Sequence, residues 1–509
     1  MPGWLSNLLP ILLLLAAVAF VLYRLPKVDV GHTADFRRRR VANWLPLGLL
    51  YSFLYMGRYN LEVAKNAFST LAGPSGNPVM GNQDFGIIFG IGTVVYGFAF
   101  VINGPLTDRI GGRASILIGG AGAIVANVLM GLASLSLLHG GPGSAFLATN
   151  MVPTLTALYA FNMYCQSFGA VSIVKVNAAW FHVRERGVFG AIFGILISLG
   201  LYFAFDWSRL VLAVFAGEGR PHDGIPWVFF VPSVLLLVFW VLNSMLVRDT
   251  PGEAGQRDFD TGDASSGDTG PQLPVVAVFR KMLTNPVVLT IACIEFCSGF
   301  LRQAIMQWFR TFAKQTDGAL GLTEGFVFQN WGLLLCIAGI LGGVIAGVIS
   351  DHVFKSRRGP VAVLLYGVML VGGLVLTFAY QSPVVGPLVV VMSMAVIGVH
   401  GMLSGTASMD FGGKKNVGVA VGIIDGFVYL GTAAMSLTYA FALPKEQLVD
   451  GKLAGPATDP SNWFAWPVAM VPIALVGLVL AFRVWHAYPE PQKKAAPADR
   501  KPSDASAAG

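Results

Sequence analysis

Thirteen apolar stretches of at least about twenty residues run through this 509-residue chain and constrain its fold more than any other feature. A helix of roughly 20 mostly apolar residues is long enough to cross the hydrocarbon core of a bilayer. Only 12% of the residues are charged, whereas soluble domains carry about 25%. The sequence therefore predicts an all-α polytopic membrane protein, and it argues against a soluble enzyme or a nucleic-acid-binding protein.

The spans divide into one leading span and twelve core spans. The leading span, 5–24, has no Lys or Arg before its apolar run, which favours an uncleaved membrane anchor over a signal peptide. The core spans, numbered 1 to 12, are 42–66, 84–106, 114–137, 146–180, 188–215, 226–247, 285–313, 324–350, 359–380, 383–408, 416–441 and 463–486. The predicted regions are the anchor with its basic segment, the first six-helix half, a linker, the second half and a disordered tail: 1–41, 42–247, 248–284, 285–486 and 487–509.

Positive charges fix the expected orientation. If the segment that ends at Arg37–Arg40 is cytoplasmic, the loops and ends on its side hold 23 Lys or Arg, and the opposite side holds five. Lys and Arg concentrate in cytoplasmic loops. We therefore expect an inner-membrane protein with its amino terminus outside the cytoplasm and its carboxyl terminus inside.

An internal repeat links the two halves. Span 2 ends in Gly-x-x-x-Asp-Arg-x-Gly-Gly-Arg over residues 104–113, and span 8 ends in a shorter version around Asp351. Asp108 and Asp351 lie 243 residues apart, and the conspicuous Arg58 and Arg302 lie 244 apart. Two unrelated features at one spacing indicate a duplicated six-helix unit.

The loop element of residues 104–113 resembles the signature of the major facilitator superfamily. The resemblance implies twelve core helices in two halves that rock around a central site. In such a loop the glycine permits close helix contact, while the charged side chains bond to neighbouring helix ends. We expect gating roles for four residues, which are Asp108, Arg109, Arg113 and Asp351.

Two arginines lie near the middle of the membrane. Arg58 is about 16 residues into span 1 and Arg302 about 17 into span 7, at a rise of roughly 1.5 Å per residue. An arginine at this depth rarely faces lipid. One interpretation is an anion site to which each half contributes a guanidinium, whose forked donors fit phosphate or carboxylate oxygens. The alternative is that Arg58 pairs with Glu62 and Arg302 with Glu295.

Further segments resemble the organophosphate:phosphate antiporter family, which includes glycerol-3-phosphate and hexose-phosphate transporters. Tyr51 and Tyr55 share one face of span 1 with Arg58, and Arg248-Asp249-Thr250-Pro251 follows span 6. The likeness covers about residues 42–486. It implies that the two arginines grip a phosphate. The predicted substrate-binding residues are Arg58, Arg302, Tyr51, Tyr55, Gln166 and His400, although His400 also fits a bonded core histidine.

The chain departs from this family at four positions near the expected site, which are Phe100, Ile197, Gly299 and Cys336. They replace a lysine, a histidine, a tyrosine and an acidic residue of the family pattern. In exchange the chain has membrane carboxylates at Glu62, Glu295 and Asp425, for which we expect coupling roles. A buried carboxylate of this kind can bind a proton, meet a substrate amine or face Arg302.

The sequence leaves three functions open. The first is a transporter of a phosphorylated organic anion in exchange for inorganic phosphate, and the second is a proton-coupled organic-anion symporter. The third is a transporter-like membrane sensor of a phosphorylated ligand. No Walker loop, metal-ligand cluster or nucleophile elbow is present in the sequence, so no enzyme activity, cofactor or metal is expected. The expected partners are the small anion, a counter-ion and the lipid bilayer, and the expected state is a monomer.

Overall fold

The structure is a computed structural model that describes residues 30–182, 185–262, 275–354, 357–404 and 408–486. The predicted anchor 5–24 and tail 487–509 lie outside the described residues, as does the middle of the predicted linker. The described part is helical apart from its loops and one small hairpin, in which β1 (Gln447–Val449) pairs antiparallel with β2 (Lys452–Ala454). This confirms the all-α prediction.

Twelve long helices, α1 to α12, make up the described core, and three of them are broken into segments. In chain order they are Ala34–Phe68; Asn82–Ile110; Gly112–His139; Ser144–Gln166 with Phe168–Trp180; Arg186–Tyr202 with Ser208–Val214; Ile225–Leu246; Pro286–Met306 with Phe309–Gln315; Trp331–Val348; Arg358–Ala379; Val385–Met402; Ser408–Ala442; and Ala465–Arg483. A short helix, Val275–Leu283, precedes α7.

The broken helices are where the structure departs from the predicted spans. The span predicted at 146–180 is interrupted at Ser167, whose hydroxyl bonds to Tyr164 O (2.7 Å) and accepts from Asn103 Nδ2 (2.7 Å). The α5 helix passes through a π-helical turn at Phe203–Trp207. Side-chain bonds and π-turns are common causes of such breaks in long helices.

Ten of the helices in the described part are long and apolar enough to cross a membrane. The other two are α1 and α4. In α1 three ionisable residues, Arg58, Glu62 and Lys65, are at most 1% exposed, so all three side chains point into the protein. Their desolvation is tolerable only if other polar groups compensate for it. The centre of the bundle is therefore the place to look for function.

Helices of the two halves approach one another through glycine. A methyl group on Gly422 of α11 would lie 2.6 Å from Phe100 O of α2, and one on Gly339 of α8 would lie 2.3 Å from Ser198 Oγ of α5. Small residues permit such contact in membranes, where backbone proximity and packing drive helix association. These contacts seat the halves against each other on both sides of the bundle.

One end of the bundle, which we name the Lys65 end, is closed by polar bonds between the halves. Lys65 Nζ lies 3.1 Å from Glu446 Oε1, and both side chains are almost fully buried. Asn82 Nδ2 donates to Gln315 Oε1 at 2.9 Å, and Arg209 Nη2 donates to Gln329 O at 2.9 Å. Buried charge pairs of this kind are costly to break one partner at a time. The halves are held together at this end.

The opposite end, which we name the Arg40 end, holds ion pairs within the first half. Arg40 Nη1 lies 2.9 Å from both carboxylate oxygens of Glu185, and Lys175 Nζ lies 2.8 Å from Asp108 Oδ1. Arg113 N donates to Asp249 Oδ1 at 2.8 Å. Burial raises the pKa of the Asp249 carboxyl above its usual range. These bonds fix the loops of one half, whereas the bonds at the Lys65 end join the two halves.

Candidate substrate-binding site

Arg58 is fully buried and has every nitrogen of its guanidinium bonded. Its Nε donates to Gln166 Oε1 at 2.9 Å, its Nη1 to Tyr429 Oη at 2.7 Å and its Nη2 to Tyr96 Oη at 2.6 Å. The helices α1, α2, α4 and α11 thus meet at this side chain. Neutral hydroxyl and amide oxygens satisfy its donors without cancelling its charge.

Aromatic rings complete the surroundings of Arg58. Its Cζ lies 4.5 Å from the Tyr96 ring centroid and 4.7 Å from that of Tyr55, within the range of cation–π attraction. The alternative that Arg58 pairs with Glu62 is wrong, because Glu62 bonds to Asn66 and interacts with Arg310 instead. Arg58 keeps its full positive charge in the centre of the bundle.

Arg302 is almost as deeply buried as Arg58, at 3% exposed, but two of its three guanidinium nitrogens make no hydrogen bond among the described residues. Its Nε and Nη2 have no hydrogen-bond partner among the described residues. Buried polar groups are nearly always hydrogen-bonded, and a buried guanidinium without partners is costly. This side chain therefore presents free donors to any anion that reaches it.

The two arginines face one tyrosine cluster, which consists of Tyr55, Tyr59 and Tyr429. The Arg58 Cζ atom lies 4.7, 5.7 and 5.6 Å from the ring centroids of Tyr55, Tyr59 and Tyr429, and the same three side chains are neighbours of Arg302. Next to the arginines, Gln303 Nε2 of α7 donates to Tyr59 Oη of α1 at 2.8 Å. The structure thus places one arginine of each half on a shared phenolic surface at the interface of the halves.

Glu295 and His400 form a buried pair beside Arg302. His400 Nδ1 lies 2.8 Å from Glu295 Oε2, and Glu295 Oε1 has no hydrogen-bond partner among the described residues. No hydrogen bond joins Glu295 to Arg302, although the two interact electrostatically. The predicted Arg302–Glu295 pair is thus an electrostatic contact rather than a salt bridge, and His400 takes the carboxylate instead.

A cavity lies on the Arg40 side of Arg58, between α1, α4, α5, α10 and α11. Four of its wall residues are among the predicted substrate-binding or coupling residues, namely Tyr51, Tyr55, His400 and Asp425. Ser404 donates a hydrogen bond to Asp425 in this wall. The remaining lining residues are Ala170, Val174, Phe193, Ile197, Ser404, Val421 and Tyr429. The cavity thus combines an apolar wall with a few polar groups, as small-molecule sites do.

Sequence reasoning missed two residues that hold Arg58. Nothing in the spacing of Tyr96 and Tyr429 along the sequence shows that they meet Arg58. Gln166, which was predicted to bind substrate, uses its amide oxygen to accept a hydrogen bond from Arg58 Nε. Phe100 stacks on Tyr429 with ring centroids 5.7 Å apart, so this departure from the family pattern supports the tyrosine rather than the anion.

The predicted gating residues lie at the Arg40 end, away from the arginines. Asp108 pairs with Lys175, Arg113 Nη2 donates to Ser244 O at 2.6 Å, and Arg109 is exposed at the end of α2. The backbone of Asp351 lies in a π-helical turn, Ile349–Val353, and its side chain is outside the description. In the part of the chain that is described, no three His, Cys, Asp or Glu side chains are grouped as metal ligands.

A comparison with protein families gives this geometry a context. The sequence profile of the Major Facilitator Superfamily matches residues 47–436, well over half of the chain. The protein belongs to the major facilitator superfamily. The predicted fold class is therefore confirmed, and both arginines and the cavity fall within the matched region. The superfamily is one of transporters, so the prediction that the chain is not an enzyme is confirmed as well.

Relatives within the superfamily also agree with the predicted antiporter-family resemblance. The glycerol-3-phosphate transporter of Bacillus subtilis is 24% identical over 478 residues, which are 90% of this chain and 95% of that protein. A probable hexose phosphate transport protein of Chlamydia trachomatis is 22% identical over 90% of this chain and 94% of its own length. The membrane sensor protein UhpC of Salmonella typhimurium is 24% identical over 80% of this chain and 87% of its own.

Solved structures share the fold. The human organic anion transporter MFSD10 superposes with a TM-score of 0.54 at 16% identity, over 88% of this chain and 99% of that one. The nucleoside transporter NupG superposes with a TM-score of 0.53 at 12% identity, over 86% and 98%. At these identities the likeness shows the superfamily architecture and carries no information on substrate.

Proposed function

We propose that this superfamily member transports a phosphorylated organic anion, of the glycerol-3-phosphate or sugar-phosphate kind, in exchange for inorganic phosphate. The observation that carries the proposal is Arg302, a buried guanidinium with two unused donor nitrogens. Arg302 and Arg58 share their tyrosine neighbours, so a phosphoryl group at Arg302 also lies in the field of Arg58. The names of the two transporter relatives given above agree with this ligand class.

The cavity fits the rest of such a substrate. With the phosphoryl group at Arg302, the organic part extends past Tyr55 towards His400 and Asp425, which can hydrogen-bond hydroxyl groups. Aliphatic and aromatic side chains form the opposite wall, where a carbon skeleton packs. A small polyhydroxylated phosphate ester satisfies both walls, whereas a purely apolar anion leaves the polar wall without partners.

Transport is proposed to proceed by alternating access in the inner membrane. The Lys65 end is closed by bonds between the halves, and the cavity lies on the Arg40 side of the arginines. We place the Arg40 end in the cytoplasm because it carries most of the Lys and Arg of the loops. In this orientation the conformation is closed towards the outside. Rocking of the halves then breaks the Lys65–Glu446 pair and opens the other side.

A sensor is the second candidate function, because the UhpC relative matches most of the chain. A sensor needs the same binding site but no completed transport cycle. Substrate binding without accumulation is the property that separates the two functions.

The test is uptake of radiolabelled glycerol-3-phosphate or glucose-6-phosphate into proteoliposomes loaded with inorganic phosphate. Uptake is expected with phosphate inside and is expected to fall sharply when sulfate replaces it. Liposomes without protein and liposomes with Arg302→Ala provide the controls. Binding of the ligand without uptake would favour the sensor, and a lack of binding by any phosphate ester would refute the proposed ligand class.

A further inference from the structure

The Glu295–His400 pair has a property that anion binding alone does not require. An anion site gains from positive charge, yet this chain places an acidic side chain, 0% exposed, next to the arginine whose donors are free. One oxygen of Glu295 accepts from His400 and the other has no hydrogen-bond partner among the described residues. A buried carboxylate with only one hydrogen-bonded oxygen carries a high desolvation cost when it is ionised, and this cost falls when the group gains a proton.

We infer that Glu295 and His400 together bind one proton, and that this proton enters when a substrate anion binds at Arg302. The inference rests on the proposed function, since it adds a proton to the anion that this same site carries in exchange for inorganic phosphate. It makes the protein a proton-linked carrier, in which substrate and proton occupy the second half together.

The charges around the pair come from four helices. Arg302 of α7 is charged, Asp425 of α11 is an ionisable neighbour, and the hydroxyl of Ser404, just after α10, donates to Asp425. On α9, Tyr366 lies near Glu295 and donates to Ile294 O at 2.6 Å. Cys297 on α7 is a further titratable neighbour of Glu295. When Glu295 and Asp425 are ionised and His400 is neutral, their two negative charges equal the two positive charges of Arg58 and Arg302. An incoming dianion then meets no net positive charge.

One added proton changes that balance. In the ionised pair, the Nδ1–H of neutral His400 donates to Glu295 Oε2. An incoming proton either binds His400 Nε2 or, after a change of tautomer, stays on Glu295 and is donated to Nδ1. In both arrangements the charge of the pair rises from −1 to 0, so the net negative charge that offset Arg302 is gone. The bound phosphate then supplies the counter-charge that Glu295 supplied before.

The proton has a path to the pair. His400 lines the cavity on the Arg40 side, while Glu295 behind it does not. His400 therefore stands between water in the cavity and the carboxylate, as a proton relay does. Asp425 differs from Glu295, since it lines the cavity itself and already accepts a hydrogen bond from Ser404. This difference assigns the proton to the pair rather than to Asp425.

The experiment measures protons taken up when glycerol-3-phosphate binds the purified full-length protein. Calorimetry between pH 7.5 and 9, in buffers of different ionisation enthalpy, gives this number. The ester remains a dianion in this range, because its second pKa is near 6. The wild type is expected to take up a fraction of a proton that approaches one. By linkage, its affinity is expected to fall as pH rises, by at most tenfold per pH unit.

Variants assign the proton. Glu295→Gln is expected to bind with no proton uptake and a flat pH profile, whereas Glu295→Asp retains uptake. Asp425→Asn is expected to bind more weakly, because Asp425 lines the cavity, but to take up as many protons per ligand bound as the wild type. If Glu295→Gln does not bind, His400→Leu provides the second test, because loss of the imidazole must shift the pH profile.

Three outcomes overturn the inference. They are a wild type that takes up no proton, uptake that survives in Glu295→Gln, and uptake that is lost only in Asp425→Asn. An unchanged profile in His400→Leu counts against it as well. A protein that binds glycerol-3-phosphate without protons refutes this inference alone, whereas a protein that binds no phosphate ester refutes the proposed function.

Discussion

The two halves of the protein carry one arginine each at equivalent places but surround it differently. At a spacing of 244 residues, Tyr51, Tyr55 and Tyr59 of α1 correspond to Glu295, Gly299 and Gln303 of α7. Arg58 is thus flanked by phenols, and Arg302 by an acid, a glycine and an amide. All guanidinium nitrogens of Arg58 are bonded, while two of Arg302 are not.

The glycine accounts for much of this difference. A methyl group on Gly299 would lie 1.9 Å from Val428 O, so α11 passes so close to α7 that no side chain fits between them. The next residue of α11, Tyr429, reaches across to the first half, where its Oη accepts a hydrogen bond from Arg58 Nη1. Tyr429 of the second half thus bonds to the arginine of the first half, while two nitrogens of Arg302 stay without a hydrogen bond among the described residues. The two arginines occupy equivalent positions in the duplicated halves. One close helix contact accounts for much of the difference in their hydrogen bonding.

The sharpest test of this comparison replaces each arginine by lysine. Arg302→Lys keeps the charge but loses the forked donors, each worth about 1.5–3 kcal/mol to an anion. We expect glycerol-3-phosphate affinity to fall about 100-fold, with normal folding in the membrane. Arg58→Lys is expected to abolish most transport too, but also to lower thermal stability, since three partners lose their donor. Normal transport by both variants would place the anion site elsewhere.

The second test adds a methyl group at the glycine. Gly299→Ala forces α7 and α11 apart, and overpacking of this kind costs about 1–3 kcal/mol. We expect lower thermal stability together with weaker transport, because Tyr429 moves away from Arg58. Gly194→Ala is the matched control, since a methyl group at Gly194 meets no atom within 4 Å. Equal stability of the two variants would show that the close contact does not cause the different surroundings of Arg58 and Arg302.

The third test removes one partner of Arg58. Tyr96→Phe leaves Nη2 of a buried guanidinium unbonded, at a cost of roughly 1–3 kcal/mol. We expect a loss of stability in the substrate-free protein that added glycerol-3-phosphate partly restores, because the phosphate can accept the freed donor. Thermal unfolding with and without ligand measures this. Stability equal to wild type would mean that the Arg58 bonds exchange freely with other partners.

The sequence predicted the fold far better than it predicted which partner each site residue contacts. Apolar length and the repeat of Arg58 and Arg302 were enough for the helical architecture, because bilayer thickness and duplication leave a direct imprint on spacing. The partners of Arg58 could not be predicted, since Tyr96 and Tyr429 come from helices whose rotation depends on glycine contacts far along the chain. Glu62 was misplaced for the same reason, because spacing along a helix does not say which face meets which neighbour.

The smallest expected effect concerns the loops that the repeat shares, and it compares Asp108 with Asp351. Asp108 pairs with Lys175 at 2.8 Å in a partly exposed setting, where an ion pair contributes at most about 1 kcal/mol. Asp108→Asn is therefore expected to slow exchange only several-fold and to leave affinity near that of the wild type, since the loop acts on opening rather than on the anion. Asp351→Asn is expected to do the same if the loops are functionally equivalent.

Exchange rates in proteoliposomes, set against affinities in detergent, measure the two effects separately, and Lys175→Met is the matched variant for Asp108→Asn. A tenfold loss of affinity with an unchanged exchange rate in either variant would contradict a gating role and make the loops part of the binding site.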